Sequence, residues 1–162
     1  MSIKTFVASL GVAACVALPF SSASAQVLDG AEVYNGHYYK AFEFKLPWDA
    51  ASKFCQSMGG HLATMEDKTE VTVLDKIRTK GGGFNYWLGG YRDDQGLWRW
   101  LNGSIITDSF WRANEPSSSE SKSKMLIHRY DKAFEWYSHD GNEKWSFICE
   151  WDSMQDAHES TM

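Results

Sequence analysis

The pattern of apolar and polar positions divides the chain into a helical first part and a strand-rich second part. A first helix is predicted to start after Pro47 and to end at Gly59-Gly60, because proline suits the first turn of a helix and glycine its C-terminal end. Its apolar positions recur at helical spacing, at Trp48, Ala51, Cys55 and Met58. A second helix is predicted after a capping pattern formed by Thr64 and Asp67, and it stops at Gly81-Gly82-Gly83. The stripe of this helix comprises Val71, Leu74, Ile77 and Arg78.

From residue 86 onward, short apolar and aromatic runs replace the helical spacing and predict strands. The predicted strands are Tyr86–Gly89, Leu97–Trp100, Met125–Tyr130, Ala133–Tyr137 and Trp145–Trp151. Nearer the N-terminus, Asn35-Gly36 favours the tight turn of a hairpin between Val33-Tyr34 and His37–Tyr39. The residues from Pro116 to Lys124 are polar and predict an exposed loop. Together these elements predict an α+β fold in which two helices precede antiparallel sheets.

The first 25 residues have the features of an export signal. Lys4 supplies a positive start, Thr5–Phe20 is uncharged and mostly apolar, and Ala23-Ser24-Ala25 is a cleavage sequence that would leave Gln26 first. The predicted boundaries are a signal peptide over 1–25, one domain over 26–151 and a flexible C-terminal tail over 152–162. The alternative is that the apolar run stays as an uncleaved membrane anchor.

The charge balance narrows the class of partner. The formal net charge is −5, and loss of Lys4, the only charged residue in 1–25, changes it to −6. A mildly acidic chain lacks the basic patch that binding to nucleic acid or an anionic membrane requires. The apolar run is too short to span a bilayer comfortably, so the mature protein is expected to have no membrane span and to be secreted, into the extracellular space or a periplasm.

Cysteine usage agrees with export. Cys15 leaves with the signal, and the mature chain keeps Cys55 and Cys149. Two cysteines in an oxidising compartment favour a disulfide, and closure of a loop of roughly 100 residues contributes roughly 4–5 kcal/mol on the chain-entropy model. The alternative is two buried free thiols.

Six short motifs, in this order, resemble the C-type lectin-like domain family. They are Trp48-x-x-Ala51-x-x-x-Cys55, Gly59-Gly60-His61-Leu62-Ala63-Thr64 with Glu70, Trp87-Leu88-Gly89, Trp98-x-Trp100-x-Asn102-Gly103, Phe110-Trp111-x-x-x-Glu115-Pro116 and Phe147-Ile148-Cys149-Glu150. The resemblance covers roughly residues 38–150. It implies a fold of two helices and two sheets with a long loop region, a Cys55–Cys149 disulfide, and ligand recognition by the long loop. It also implies core positions for three tryptophans, Trp48, Trp87 and Trp100.

The chain departs from this family where calcium-dependent sugar binders hold the ion. Those members have Glu-Pro-Asn or Gln-Pro-Asp where this chain has Glu115-Pro116-Ser117, and Trp-Asn-Asp where it has Trp136-Tyr137-Ser138. A further acidic ligand would fall near Lys122 or Ser123, and no second disulfide is present. Calcium prefers six to eight oxygens with several carboxylates, so no family-type calcium cofactor and no metal ligand is predicted. The remaining acidic residues of this region are interpreted as solvated charges: Glu120, Asp131, Glu135, Asp140 and Glu143. The alternative is that they form a calcium site of a different kind.

No catalytic residues are predicted. The chain contains neither a Gly-x-Ser-x-Gly elbow nor a His-Glu-x-x-His motif. Asp93-Asp94, followed by Gln95-Gly96 between two strands, is typical of a hairpin turn rather than of paired acid and base. His61 fits a turn, whereas His128 and His139 are interpreted as ordinary surface histidines. A metal site formed by this last pair with Asp140 is the alternative.

The leading hypothesis is a secreted, non-enzymatic recognition module that binds carbohydrate through the long-loop face. The predicted ligand-binding residues are Glu115, Ser117, Glu120, Tyr137, Ser138 and Trp111. Carboxylates and hydroxyls would bond to sugar hydroxyls, and an exposed aromatic ring would stack on a sugar face. The alternative is a calcium-independent protein-binding module on the same fold. Asn102-Gly103-Ser104 is either a glycosylation site or simply part of a hairpin turn.

Overall fold

A computed structural model describes residues 22–107 and 110–160. The helices are α1 Ser22–Val27, α2 Trp48–Ser57 and α3 Val71–Lys80. The strands are β1 Glu32–Tyr34, β2 His37–Leu46, β3 His61–Leu62, β4 Asn85–Arg92, β5 Trp98–Trp100, β6 Lys124–His128, β7 Trp136–His139 and β8 Trp145–Trp151. The α+β class is confirmed. Within the described residues, no helix is both long and apolar enough to cross a membrane.

Most predicted elements are confirmed, with differences at their ends. Asn35 and Gly36 have φ values of 50° and 84°, as the primed turn between β1 and β2 requires. Strand β7 starts three residues later than predicted, because residues 129–133 form a turn and a bend. The predicted signal peptide falls largely on residues 1–21, which lie outside the described residues, so its cleavage stays a prediction.

The helix-capping prediction was wrong by three residues. The capping box consists of Asp67 and Glu70: Asp67 Oδ1 accepts from the N–H of Thr69 at 2.8 Å, and Glu70 Oε2 accepts from the N–H of Asp67 at 3.2 Å. The predicted cap, Thr64, instead donates its N–H to Glu150 Oε2 at 2.9 Å. This residue therefore belongs to a contact with β8, and helical structure starts with the 3₁₀ turn Lys68–Glu70 that leads into α3.

The strands form one sheet in the order β1-β2-β8-β4-β6-β7, with β3 paired to β8 and β5 paired to β4. Neighbouring strands are antiparallel except for β4 and β8, which run parallel through Tyr86–Ser146 and Trp87–Phe147. The last strand along the chain is thus a central strand of the sheet. It joins the N-terminal hairpin to the strands that carry the long loop.

Two apolar clusters cover opposite faces of this sheet. One lies against α3 and includes Leu74, Leu88 and Ile148, and the other lies against α2 and includes Trp48 and Phe147. The three tryptophans expected in the core are buried, at Trp48, Trp87 and Trp100. Successive residues of a strand point to opposite faces of the sheet. Neighbouring side chains of β7 therefore lie on different faces and have different contacts.

Cys55 and Cys149 form a disulfide, and both residues are completely buried. Their Cα atoms are 5.5 Å apart, within the usual range for a disulfide. The bond joins α2 to β8. The predicted disulfide is confirmed, and the alternative of two buried free thiols is wrong.

The described part of the predicted tail packs against the end of α2. Ala157 is 1% exposed, and the N–H of His158 donates to the carbonyl oxygen of Met58 at 3.1 Å. Ala157 also accepts a hydrogen bond from the hydroxyl of Ser24 in α1. The flexibility of residues 152–162 stays a prediction, but the described part of this segment rests on the domain.

Candidate functional site

The long loop between β5 and β6 carries most of the predicted ligand-binding residues. Arg92, the last residue of β4, holds this loop to the sheet. Its Nη1 donates to the carbonyl oxygen of Ser117 at 3.3 Å, and its Nη2 donates to that of Ser119 at 2.8 Å. The Glu115–Pro116 peptide bond in this loop is cis. One guanidinium thus fixes two backbone carbonyls of the segment that follows Pro116.

The polar contacts of the loop converge on Glu115. Its Oε2 accepts hydrogen bonds from the N–H of Ser117 at 3.1 Å, the N–H of Ser138 at 3.0 Å and the hydroxyl of Ser138 at 2.5 Å. Hydrogen bonds to an ionised carboxylate are stronger than neutral ones, so this carboxylate has a fixed position. The other oxygen, Oε1, accepts no hydrogen bond from a described residue, and the side chain is partly exposed.

Ser138 lies behind this carboxylate. The residue is 1% exposed, and its Oγ also accepts from the N–H of Ser117 at 2.8 Å. Within β7, Ser138 points to the same face as the completely buried Trp136. Its observed role is to position Glu115, and direct contact of Ser138 with a ligand stays a prediction.

Tyr137 lies on the opposite face of β7 and belongs to a different set of contacts. Its hydroxyl donates to Asp131 Oδ2 at 2.7 Å and accepts from Arg112 Nη1 at 2.8 Å. Its ring stacks on His128 with the centroids 3.8 Å apart. Burial, followed by the hydrogen bond to Asp131, raises the pKa of Tyr137 to about 12. Burial also lowers the pKa of His128. The phenol is therefore protonated at neutral pH, and one of its ring faces is covered.

Trp111 packs into an aromatic group rather than standing apart on the loop. Its ring centroid lies 4.6 Å from that of Trp98 and 5.6 Å from that of Trp136, both in edge-on geometry. The other two rings are buried, and Trp111 is partly exposed. Trp136 therefore packs in the sheet, and Trp111 offers a ligand only part of its surface.

Glu120 is exposed and lines a separate open hollow of about 480 Å³ with Arg92, Asp93 and Asp94. Direct contacts thus bring together Glu115, Ser117 and Ser138. They do not join this group to Glu120, Tyr137 or Trp111 in the part of the chain that the structure describes.

The side chains around Glu115 do not fit a family-type calcium ion. Calcium requires several carboxylates among six to eight oxygens, whereas the hydrogen-bonded group holds one carboxylate, the hydroxyl of Ser138 and the backbone N–H groups of Ser117 and Ser138. One of the carboxylate oxygens already accepts three hydrogen bonds.

The histidine pair considered as a metal site is engaged elsewhere. His128 and His139 have ring centroids 6.4 Å apart, and His139 Nδ1 lies 2.9 Å from Glu143 Oε2. Asp140 Oδ1 accepts hydrogen bonds from Asn142 in its own turn.

A second polar cluster was missed by the sequence analysis. It lies where the start of β2 meets the end of β8, and His37 Nδ1 is 2.7 Å from Glu150 Oε1 there. Beside it, His61 Nε2 is 3.0 Å from Asp152 Oδ1. No local motif joins these four residues, because the pairing of β2 and β3 with β8 spans about 90 to 110 positions of the chain.

The charges of this cluster raise the pKa of both histidines. Burial alone would lower the pKa of His37, but its hydrogen bond to Glu150 and the charges of Glu150 and Asp152 raise the pKa above the ordinary value. The pKa of His61 is raised likewise, since burial is outweighed by Glu150, Asp152 and the carbonyl of Leu62.

Comparisons with known proteins place this fold in a family. Residues 44–151 match the family model described as "Lectin C-type domain". The chain is 34% identical over 117 residues to C-type lectin lectoxin-Lio1 from Erythrolamprus poecilogyrus, which covers 70% of this chain and 71% of that protein. It is 29% identical over 143 residues to one chain of the snaclec coagulation factor IX/factor X-binding protein from Trimeresurus stejnegeri, which covers 83% and 91% respectively.

Solved structures give the same result. A structure of SPL-1 in complex with GlcNAc has a TM-score of 0.67 and 30% sequence identity, over 76% of this chain and 93% of that chain. The chain spans 16% of the length of one curated relative, C-type lectin domain family 4 member F from Mus musculus, and 91% of the length of the snaclec chain. With a family match that covers the domain from β2 to β8, the chain belongs to the C-type lectin domain family.

Proposed function

We propose that this domain is a secreted recognition module, not an enzyme, and that it binds carbohydrate through the long-loop face without calcium. The observation that carries the proposal is the geometry of Glu115. Hydrogen bonds from two serines fix one carboxylate oxygen, and the second accepts no hydrogen bond from the described residues. A fixed acceptor of this kind suits a pair of sugar hydroxyls, which are hydrogen-bond donors.

Neighbouring groups extend the proposed binding face. Ser117, partly exposed, supplies a hydroxyl beside Glu115, and the exposed Glu120 offers a further acceptor on the same loop. Trp111 offers its partly exposed ring for the apolar face of a sugar. Tyr137, on the opposite face of β7 from Ser138, offers the ring face that His128 does not cover. The GlcNAc complex of SPL-1, a structure of the same fold, makes an N-acetylated amino sugar the first probe.

The test is isothermal titration with GlcNAc oligosaccharides, preceded by a glycan array, on the oxidised domain. Substitution Glu115→Gln keeps the side-chain shape but removes the charge, so affinity is expected to fall by about tenfold or more, as for loss of a charge-assisted hydrogen bond. Glu159→Gln, an exposed carboxylate in the C-terminal segment, is the matched control and should bind as the wild type does. Equal binding by wild type and Glu115→Gln would contradict the proposed placement.

Calcium independence is tested on the same samples in EDTA and in millimolar calcium. Binding and the unfolding midpoint are expected to be the same in both, because the groups around Glu115 are mainly hydroxyl and amide groups. A midpoint that rises with calcium, together with sugar binding that appears only in calcium, would reverse this part of the proposal.

A second candidate is protein recognition on the same fold. It is favoured by the similarity to a snaclec named for binding coagulation factors IX and X, and by the Ser and Tyr side chains where sugar-binding members carry calcium ligands. Capture experiments with native extracellular fluid, with and without glycosidase treatment, separate the two. A partner retained after deglycosylation, and insensitive to competing sugar, would favour protein recognition.

A further inference from the structure

A polar cluster far from the long loop has the composition of a transition-metal site. Among described residues, the only group of three or more His, Cys, Asp or Glu with ligand atoms within 4.8 Å of one another is His37, Glu150 and Asp152. His61 stands beside it through its contact with Asp152. Two imidazoles and two carboxylates thus come from β2, β3 and the end of β8.

Outer hydrogen bonds orient the side chains of this cluster. Glu150 Oε2 accepts from the N–H and hydroxyl of Thr64 at 2.9 and 3.3 Å, which leaves Oε1 directed at His37. His61 Nδ1 lies 2.9 Å from the carbonyl oxygen of Leu62, and a proton donated from Nδ1 to that oxygen makes Nε2, which faces Asp152, the metal-binding atom. Such hydrogen bonds are the means by which proteins fix the tautomer and orientation of metal ligands.

Buried carboxylates at and near the cluster also favour a bound cation. Glu150 is 2% exposed and Glu70 is 6% exposed, and burial, together with the charge of Glu150, raises the pKa of Glu70. In the described ranges, neither forms an ion pair with lysine or arginine, and the one ion pair of Glu150 is with the imidazole of His37. Buried carboxylates without a permanent counter-charge are costly, and a bound divalent cation would supply one.

We propose that His37, His61, Glu150 and Asp152 bind a zinc ion. The distances between neighbouring ligand atoms are 2.7 Å from His37 to Glu150, 3.7 Å from His37 to Asp152 and 3.0 Å from His61 to Asp152. A tetrahedral zinc ion with ligands at about 2.0–2.1 Å has ligand atoms about 3.3 Å apart, close to the distances of these three pairs. His61 lies outside the group of three that share distances within 4.8 Å, so its ring must move toward His37 and Glu150 to complete the site. Asp152 is 64% exposed, which gives the ion a path from solvent.

The donor set distinguishes zinc from calcium. Imidazole nitrogen suits zinc, whereas calcium takes oxygen ligands almost alone. The site joins the N-terminal hairpin to the last strand, so its role is to stabilise the domain rather than to contact the ligand of the long-loop face.

The test uses metal-free oxidised domain titrated with zinc chloride, followed by calorimetry and by the visible absorption of cobalt(II) as a tetrahedral probe. One zinc per chain is expected, together with a rise in the unfolding midpoint. His37→Gln and His61→Gln should each weaken zinc binding by at least about tenfold and remove the tetrahedral cobalt spectrum. His158→Gln, whose ring hydrogen-bonds to the carbonyl oxygen of Glu159 and lies outside the cluster, is the matched control.

Asp152→Asn, a change at an exposed side chain, provides a second variant if a histidine variant fails to fold. The proposal is overturned by the absence of saturable zinc binding, by equal weakening in His158→Gln, or by calcium that binds more tightly than zinc and is unaffected by His37→Gln. Sugar affinity of His37→Gln should equal that of wild type, so failure here and failure of the proposed carbohydrate function are separate results.

Discussion

Two adjacent aspartates in the turn after β4 show how residues of one type acquire different roles. Asp93 accepts hydrogen bonds from the N–H groups of Gln95 and Leu97 at 3.0 and 2.8 Å, and its Oδ2 lies 2.6 Å from Arg99 Nε. Asp94 forms no hydrogen bond within the described part of the chain. The sequence predicted a turn here, which is confirmed, but only the folded contacts distinguish the two carboxylates.

Asp93→Asn should lower stability at neutral pH and remove part of its pH dependence. The hydrogen bond to Arg99, followed by the backbone N–H groups, holds the pKa of Asp93 below its ordinary value. A carboxylate with a lowered folded-state pKa stabilises the protein above its unfolded-state pKa, and this contribution is lost as pH falls through the folded-state pKa. Unfolding midpoints of wild type and variant should therefore converge as pH falls through the folded-state pKa of Asp93.

Asp94→Asn is the control for this comparison, since it changes the neighbouring charge without removing the contacts to Arg99. Its midpoint should follow that of the wild type throughout. If both variants behave alike, the turn contacts of Asp93 do not stabilise the fold.

At the scale of elements, the C-terminal segment packs closely on the end of α2 at Gly59. Among the glycines of the described residues, this position leaves the least room for a Cβ atom. Gly59 has φ of +80°, and a Cβ there would lie 1.7 Å from the carbonyl oxygen of Asp156. Gly36, in the β1–β2 turn, has φ of +84° but nothing within 4 Å of a Cβ. The two positions share a left-handed backbone and differ in what packs against them.

Gly59→Ala should therefore cost more stability than Gly36→Ala. Each carries the left-handed backbone penalty of roughly 1–2 kcal/mol, and Gly59→Ala adds an overpacking cost of about 1–3 kcal/mol because Asp156 and His158 must move. Urea unfolding measures the difference, and amide hydrogen exchange should show faster exchange at residues 157 and 158 in Gly59→Ala alone. Equal losses in the two variants would mean that this segment does not rest on Gly59 in solution.

At the scale of the whole molecule, the disulfide unites parts of the domain that lie far apart in sequence. Cys55 and Cys149 are separated by 94 positions, and β8, which carries Cys149, pairs with β2, β3 and β4. Both apolar clusters include side chains of β8, so the integrity of the two faces depends on this one strand.

The double variant Cys55→Ala/Cys149→Ala should lose roughly 2–5 kcal/mol of unfolding free energy, because a loop of this length is freed in the unfolded chain. Urea titration of the variant and of the oxidised wild type measures the loss, and far-UV circular dichroism checks that the fold is retained. A loss below about 1 kcal/mol would show that the unfolded chain is already restricted without the bond.

The sequence predicted the parts of this fold that depend on local or cumulative patterns. Helices α2 and α3 and strand β8 follow apolar spacing, and the Cys55–Cys149 bond follows from export and from family resemblance. It could not show that Asp67 and Glu70 form the capping box, because Thr64 and Asp67 fit the same pattern. Thr64 is excluded by its hydrogen bond to Glu150, which exists only in the folded chain. The side of β7 that each site residue faces also depends on long-range strand register.

The central place of β8 has a consequence for biosynthesis. A chain that leaves the ribosome from its N-terminus delivers β2 and β4 long before the strand that must lie between them. The nascent domain therefore waits with two unpaired strand edges and a reduced Cys55 until residues 145–151 emerge. Vectorial synthesis thus postpones both formation of the Cys55–Cys149 bond and closure of the sheet to nearly the last step, and the two strand edges stay open to wrong pairing until then.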